Sequence, residues 1–173
     1  AMTDFEITPG ISDLEIGYRF QGSLFGQENL LEIGGALFNY QGAVGHYPTS
    51  ASYDSQGKQL LSWRVHLLPH LGQTALYEQF HHDEPWDSPH NKQLIPQIQK
   101  VYCCPSSPVH PSGKTTYLAA SGKGLFMDGE EGLTFASIRD GTSKTIALVE
   151  VADEHAVVWT KPEDLEFDPK KPK

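Results

Sequence analysis

The chain has 173 residues, 38% of them hydrophobic and 20% charged, with a formal net charge of -9. That length and composition suit one folded domain with a core of ordinary size and exclude a disordered chain. The acidic balance argues against a nucleic-acid backbone or an anionic membrane surface as main partner, because both require a concentrated basic face.

Residues 2 to 26 mix Gly10, Gly17, Gly22 and Gly26 with scattered apolar positions. Leu14, Ile16, Tyr18 and Phe20 alternate with Glu15, Gly17 and Arg19, a period of two that predicts a strand. Gln27 to Val44 reads as a helix. Leu30, Ile33, Leu37, Tyr40 and Val44 recur at spacings of three and four, and Leu31 and Phe38 widen that face. Gly34 and Gly35 weaken it by about 1 kcal/mol each relative to Ala, and predict another element lying close against them. Gly42 or Gly45 supplies the stop, and Pro48 forces extended backbone at Tyr47. Residues 49 to 59 are polar with Gly57 and read as a loop.

The stretch from Leu61 to Asn91 holds Trp63 and Trp86 among large aliphatics, histidines and charges, and is the expected core nucleus. Ser62 caps a short helix that starts at Trp63 and that Pro69 ends or kinks. The alternation of Leu61, Trp63, Val65 and Leu67 leaves a strand as the alternative. Thr74 to Phe80 forms a second helix with Leu76, Tyr77 and Phe80 inward. Ser88-Pro89, an N-cap followed by proline at the first helical position, opens a third that runs to about Ile95. Arg64 and Asp87 lie in this apolar stretch, and a charge drawn into such surroundings needs a partner. Arg64 is expected to pair with Asp87 or a nearby carboxylate.

Val101 to Cys103 and Thr115 to Ala120 read as short strands. Gly122, Gly124, Gly129 and Gly132 mark loops, Thr134 to Ile138 a turn of helix, and Asp140-Gly141 a turn. Thr145 to Val151 and Ala156 to Trp159 are β-rich and predict a hairpin. The end of the chain, rich in proline and closing on Lys170, Lys171 and Lys173, reads as poorly packed. Helices followed by short strands give an α+β domain, with the N-terminal helix packed on a small antiparallel sheet and extra short helices. The expected organisation is a 1–26 extension with at most one strand, a 27–160 domain and a loosely packed 161–173 tail.

No run reaches the roughly 20 apolar residues of a membrane span, and no basic start leads into an apolar run, so no signal peptide is read. Ala1 before Met2 resembles a cloning remnant, and the expectation is a soluble piece of a longer protein. Adjacent Cys103 and Cys104 are the only cysteines, which leaves no disulfide framework and no Cys-type zinc site. They read as small buried hydrophobes at a strand end rather than reactive thiols.

His81, His82, Asp83, Asp87 and His90 carry ligand-type side chains for zinc or a similar metal, although their spacing is not diagnostic. A solvated helix–loop–helix junction is the favoured reading. Asp128, Glu130 and Glu131 beside Gly129 have calcium-type oxygens without the twelve-residue EF-hand pattern. Ser62 and His66 stand one turn apart, but no G-x-S-x-G elbow exists. No P-loop or dinucleotide fingerprint appears.

The segments NLLEIGGALFNYQGAVGHYP, SWR…LLP…ALY…PWDSPHN, CPS, DGTSKTIALVEV and VVWTKPEDL resemble a bacterial pseudopilin-like domain of unknown function, whose members are called PulG-like or type II secretion G-like. The resemblance covers about residues 28 to 169. It implies an extracytoplasmic or cell-envelope protein with no established catalytic residues. It also marks Trp63, Arg64, Trp86, Asp87, Ser88, Pro89, His90 and Asn91 as structural signature positions. Where members carry a prepilin-type segment, this sequence has the period-two stretch. It stops after DPKKPK, where members usually continue. The expected function is non-enzymatic, in assembly or in binding a protein or envelope component, with no catalytic residue, cofactor or metal. The alternative is a metal-dependent enzyme or ligand-binding domain built on His81 to His90.

Overall fold

The computed structural model describes residues 24–122, 125–127, 132–138 and 147–166, without the side chains of Leu24 and Phe25. The strand expected at Leu14 to Phe20, the acids Asp128, Glu130 and Glu131, the Asp140-Gly141 turn and the closing lysines lie outside these residues.

Helix α1 spans Leu24–Val44. Leu30, Ile33, Ala36 and Leu37 are buried along one face, as the three-and-four spacing requires. Leu31 and Phe38, expected to widen that face, point outward instead, at 58% and 59% exposure. Val44 is exposed as well. The helix ends at Gly45, whose φ of 93° is the left-handed conformation that closes helices. Gly35 faces open space, so close approach is not the reason for a glycine there.

The expected loop at 49–59 is a hairpin. β1 (Ala51–Tyr53) pairs antiparallel with β2 (Gln59–Ser62). Its turn is held by Asp54, whose Oδ1 accepts from the amides of Gln56 and Lys58 at 2.8 and 2.9 Å. Those two bonds hold the Asp54 carboxyl below its usual range. An Asp that bonds the backbone two residues on is a turn signal that polarity alone conceals.

β2 runs directly into α2 (Trp63–His66), where the Ser62 hydroxyl accepts from the Arg64 amide. Pro69 then starts a 3-10 turn, Leu68–Leu71. α3 covers Thr74–Tyr77, shorter than expected, with Leu76 buried and Phe80 buried just beyond it. The third expected helix is a 3-10 stretch, Asn91–Gln97, that contains Pro96. Lys100–Tyr102 is also a 3-10 turn, not a strand.

β3 (Lys114–Thr115) and β4 (Tyr117–Ser121) form one interrupted line, close to the expected strand. β5 (Leu148–Glu150) and β6 (Val157–Val158) do not pair with each other as a hairpin. β5 pairs with β4 and β6 with β3, both antiparallel. The intervening residues bow out through a 3-10 turn, Asp153–His155, and the two strands lie end to end along the β4–β3 line.

β7 (Leu165–Glu166) lies parallel to β4 on its other edge. Residues 161–166 are therefore tied to the sheet, contrary to the loose tail expected there; 167–173 are outside the described residues. The result is an α+β domain with an N-terminal helix, small largely antiparallel sheets and several short helices. α1 packs on the 68–71 and 100–102 turns, and near its start Asn29 reaches the sheet at the Tyr117 hydroxyl.

Candidate functional site

Arg64 sits in α2 directly after the hairpin, with no part of its side chain in solvent. A buried guanidinium has five N–H donors to satisfy. Nε and Nη2 both donate to the Tyr117 carbonyl, at 3.1 and 2.9 Å. Nη1 donates to the Ser62 hydroxyl at 2.8 Å, and Nη2 also reaches Asp164 Oδ1 at 2.7 Å. The cation lies over the Trp63 ring, 4.6 Å from its centroid.

Asp164, not Asp87, is the countercharge; Asp87 is exposed. The Asp164 carboxylate also accepts from the Trp63 indole at 3.1 Å and from the Ala119 amide at 2.9 Å. Burial pushes its carboxyl up, opposed by the guanidinium, the amide and the indole. Tyr102 closes the cluster by donating to the Arg64 carbonyl at 2.8 Å, and burial pushes its phenol far above its ordinary range. The cluster ties α2, β4 and the 164–166 segment together. Four hydrogen bonds from the Arg64 side chain hold the guanidinium within the fold.

Two of the other positions expected as structural signatures, Ser88 and Asn91, form a second polar knot. Asn91 is fully buried and clamps the loop before it. Its Oδ1 accepts from the His81 amide at 2.9 Å, and its Nδ2 donates to the carbonyls of His81, Glu84 and Pro85 at 2.9, 3.2 and 3.1 Å. The Ser88 hydroxyl accepts from the Asn91 amide at 3.1 Å. Trp86 is half-buried against the core, its amide donating to the Leu60 carbonyl at 2.9 Å. Lys161 lies over its ring. Pro89 is exposed and His90 half-exposed.

The histidine cluster does not converge. His81 and His90 are stacked face to face, 3.5 Å apart and 1° from coplanar. Ring-nitrogen lone pairs lie in the ring plane, so stacked rings direct them past a common ion. His81 Nδ1 instead meets Glu84 at 3.0 Å, and His90 Nε2 meets the Gln79 carbonyl at 2.8 Å. Hydrogen bonds from Ser88 and His81 hold the Glu84 carboxyl below its usual range. Asp83 is exposed, like Asp87. Among the described residues, no group of three or more His, Cys, Asp or Glu side chains is placed to hold a metal.

His82 turns away from that stack toward His66, with ring centroids 6.1 Å apart. Burial lowers the His66 imidazole to about 4, with His82 adding to the effect, so it is neutral at pH 7. The Ser62 hydroxyl is engaged by Arg64 and has no bond to His66, which removes the nucleophile–base pair the spacing suggested. Cys104 is buried and Cys103 half-buried, after a 3-10 turn rather than at a strand end. Burial pushes both thiols up, so neither is a ready nucleophile. A cleft of about 280 Å³ lies beside β6 and β7, with Glu154, His155 and Glu163 on its walls. Glu163 is paired there with Lys161.

Sequence reasoning missed Asp164 and Trp159. Trp159 is fully buried, stacked on Tyr102 at 5.9 Å, edge-on to Phe80 at 5.8 Å, and donating to the Ile95 carbonyl at 2.8 Å. A third tryptophan just ahead of the acids Glu163 and Asp164 in VVWTKPEDL was the available signal. No helix among the described residues is long and apolar enough to cross a membrane.

Residues 26–173 match the family described as "Protein of unknown function (DUF1559)". No curated protein and no solved structure matches the chain.

Proposed function

The chain belongs to the DUF1559 family, and on that premise we propose that it is a non-enzymatic, pseudopilin-like (PulG-like) domain that assembles through helix α1 at the cell envelope. The observation that supports this reading is the outer face of α1. Leu31 and Phe38 stand seven residues apart on it, both more than half exposed. Gly35 lies between them and Gly42 one turn beyond, each with open space where a side chain would be. Large apolar knobs alternating with gaps at this spacing are what a second helix packs against. The same helix buries its other face in its own domain and leaves Leu31 and Phe38 exposed. Exposed apolar residues aligned in this way mark a protein interaction surface.

Self-association measured by sedimentation equilibrium tests the reading. Wild-type protein is expected to show a concentration-dependent increase in mass, and the Leu31→Glu/Phe38→Glu variant to remain a monomer with unchanged circular dichroism. Wild-type protein that stays monomeric at the highest soluble concentration, or a variant that associates equally well, overturns assembly through this face.

A further inference from the structure

We propose that His66 and His82 form an open, two-imidazole site for a single borderline transition-metal cation of the zinc type. His82 Nε2 lies 3.1 Å from the Tyr77 carbonyl oxygen. A carbonyl can only accept, so Nε2 carries the proton and the lone pair of the neutral ring is on Nδ1. That Nδ1 is buried and meets no hydrogen-bond partner among the described residues. His66, the last residue of α2, repeats the feature: its Nε2 is buried and unpartnered. Buried polar atoms without a partner are rare in folded proteins, and two on neighbouring rings point to a shared occupant.

The spacing suits an ion. With a zinc–nitrogen bond of about 2.0–2.1 Å, two imidazoles on one cation hold their centroids roughly 5 to 6.5 Å apart. Here they are 6.1 Å apart, with ring planes 34° from each other. The carbonyl behind His82 is the second-shell contact that fixes tautomer and ring direction in metal-bound histidines. Tyr77 forms one wall, its ring 4.3 Å from His82 and 6.3 Å from His66. Two protein ligands alone make it a site of modest affinity. A single water donating to both nitrogens is the competing occupant. The site is distinct from the stacked His81–His90 pair and independent of association through α1.

The experiment uses the full chain without a histidine tag, stripped with chelator and titrated with zinc chloride by calorimetry. Imidazole nitrogens are followed in parallel by long-range proton–nitrogen spectra. One equivalent of zinc is expected to bind. The His66 Nε2 and His82 Nδ1 resonances should shift, while His82 Nε2 stays protonated. His66→Gln and His82→Gln should each weaken binding tenfold or more, and the His81→Gln/His90→Gln variant should bind like the wild type. The spectra read the wild-type chain, so they decide the matter even if a variant fails to fold. No binding by the wild type overturns the proposal, as do shifts confined to His81 and His90, or undiminished binding by His66→Gln and His82→Gln.

Discussion

Arg64→Met would strand the Asp164 carboxylate in the core, and Asp164→Leu would strand the guanidinium. Either change is expected to cost about 3–5 kcal/mol, because an uncompensated buried charge remains. The double variant removes both charges, and its stability should recover most of the way to wild type. Urea unfolding of the four proteins gives the coupling directly; single variants that lose less than about 1 kcal/mol would show that the pair is dispensable. His66 supports a pH prediction on the metal-free protein. Its imidazole is lowered from 6.5 to about 4 by burial, with neighbouring His82 adding to the effect and Tyr77 alongside. A depressed folded value means its contribution is fully present above 6.5 and is lost as pH falls toward 4, where the unfolded chain takes up a proton first. The loss is roughly 3 kcal/mol across that window. Unfolding measured at pH 7 and pH 4.5 should show it, and His66→Phe should flatten the dependence. At this scale the sequence indicated that Arg64 required a countercharge, but it favoured Asp87 or another carboxylate of the same apolar stretch. A partner 100 residues along the chain leaves no local trace.

Helix α1 shows opposite consequences for two of its glycines. Gly35 is helical with open space around it, so Gly35→Ala is expected to stabilise by about 0.5–1 kcal/mol. Gly45 has a φ of 93°, which a side chain rarely adopts, so Gly45→Ala should destabilise by about 1–2 kcal/mol. Thermal unfolding of the two variants should shift in opposite directions. Gly113 is more constrained still: with a φ of 71°, an added Cβ would overlap the Ile95 side chain and come 3.1 Å from its carbonyl oxygen. The long helix was legible because its apolar spacing persists from Leu30 to Tyr40, and the Ser62 cap because the serine directly precedes Trp63. The 3-10 turns were not, since three or four residues carry no periodicity to read. Leu31 and Phe38 show the remaining limit. Apolar residues on the flank of a helix look the same in sequence whether the domain covers them or leaves them for a neighbour.

On the scale of the whole molecule, the short elements are held by contacts between distant parts of the chain. β4 receives β5 on one edge and β7 on the other, while Trp159 reaches back to Ile95 and Asp164 to Trp63, Arg64 and Ala119. A chain cut after Lys161 should therefore lose more than a tail. The expected outcome is loss of the near-ultraviolet tryptophan signal and of cooperative unfolding; a truncated protein with native spectra and a normal transition would show that the last strand is an accessory. The α+β class was legible because helix-type spacing precedes β-rich runs. The pairing of those runs was not, because Thr145 to Val151 and Ala156 to Trp159 are adjacent in sequence yet find a common third strand rather than each other.

The position of Asp164 also constrains the order of events as the protein is made. While residues up to Asp164 are still within the ribosome, Arg64 has emerged with its neighbours but has not met that carboxylate. Until the 164–166 segment is released, the nascent domain must keep that guanidinium wet and its tryptophan-rich interior unsealed. Asp164 thus acts as a latch on biosynthesis: the interior dries out only once its segment has left the ribosome.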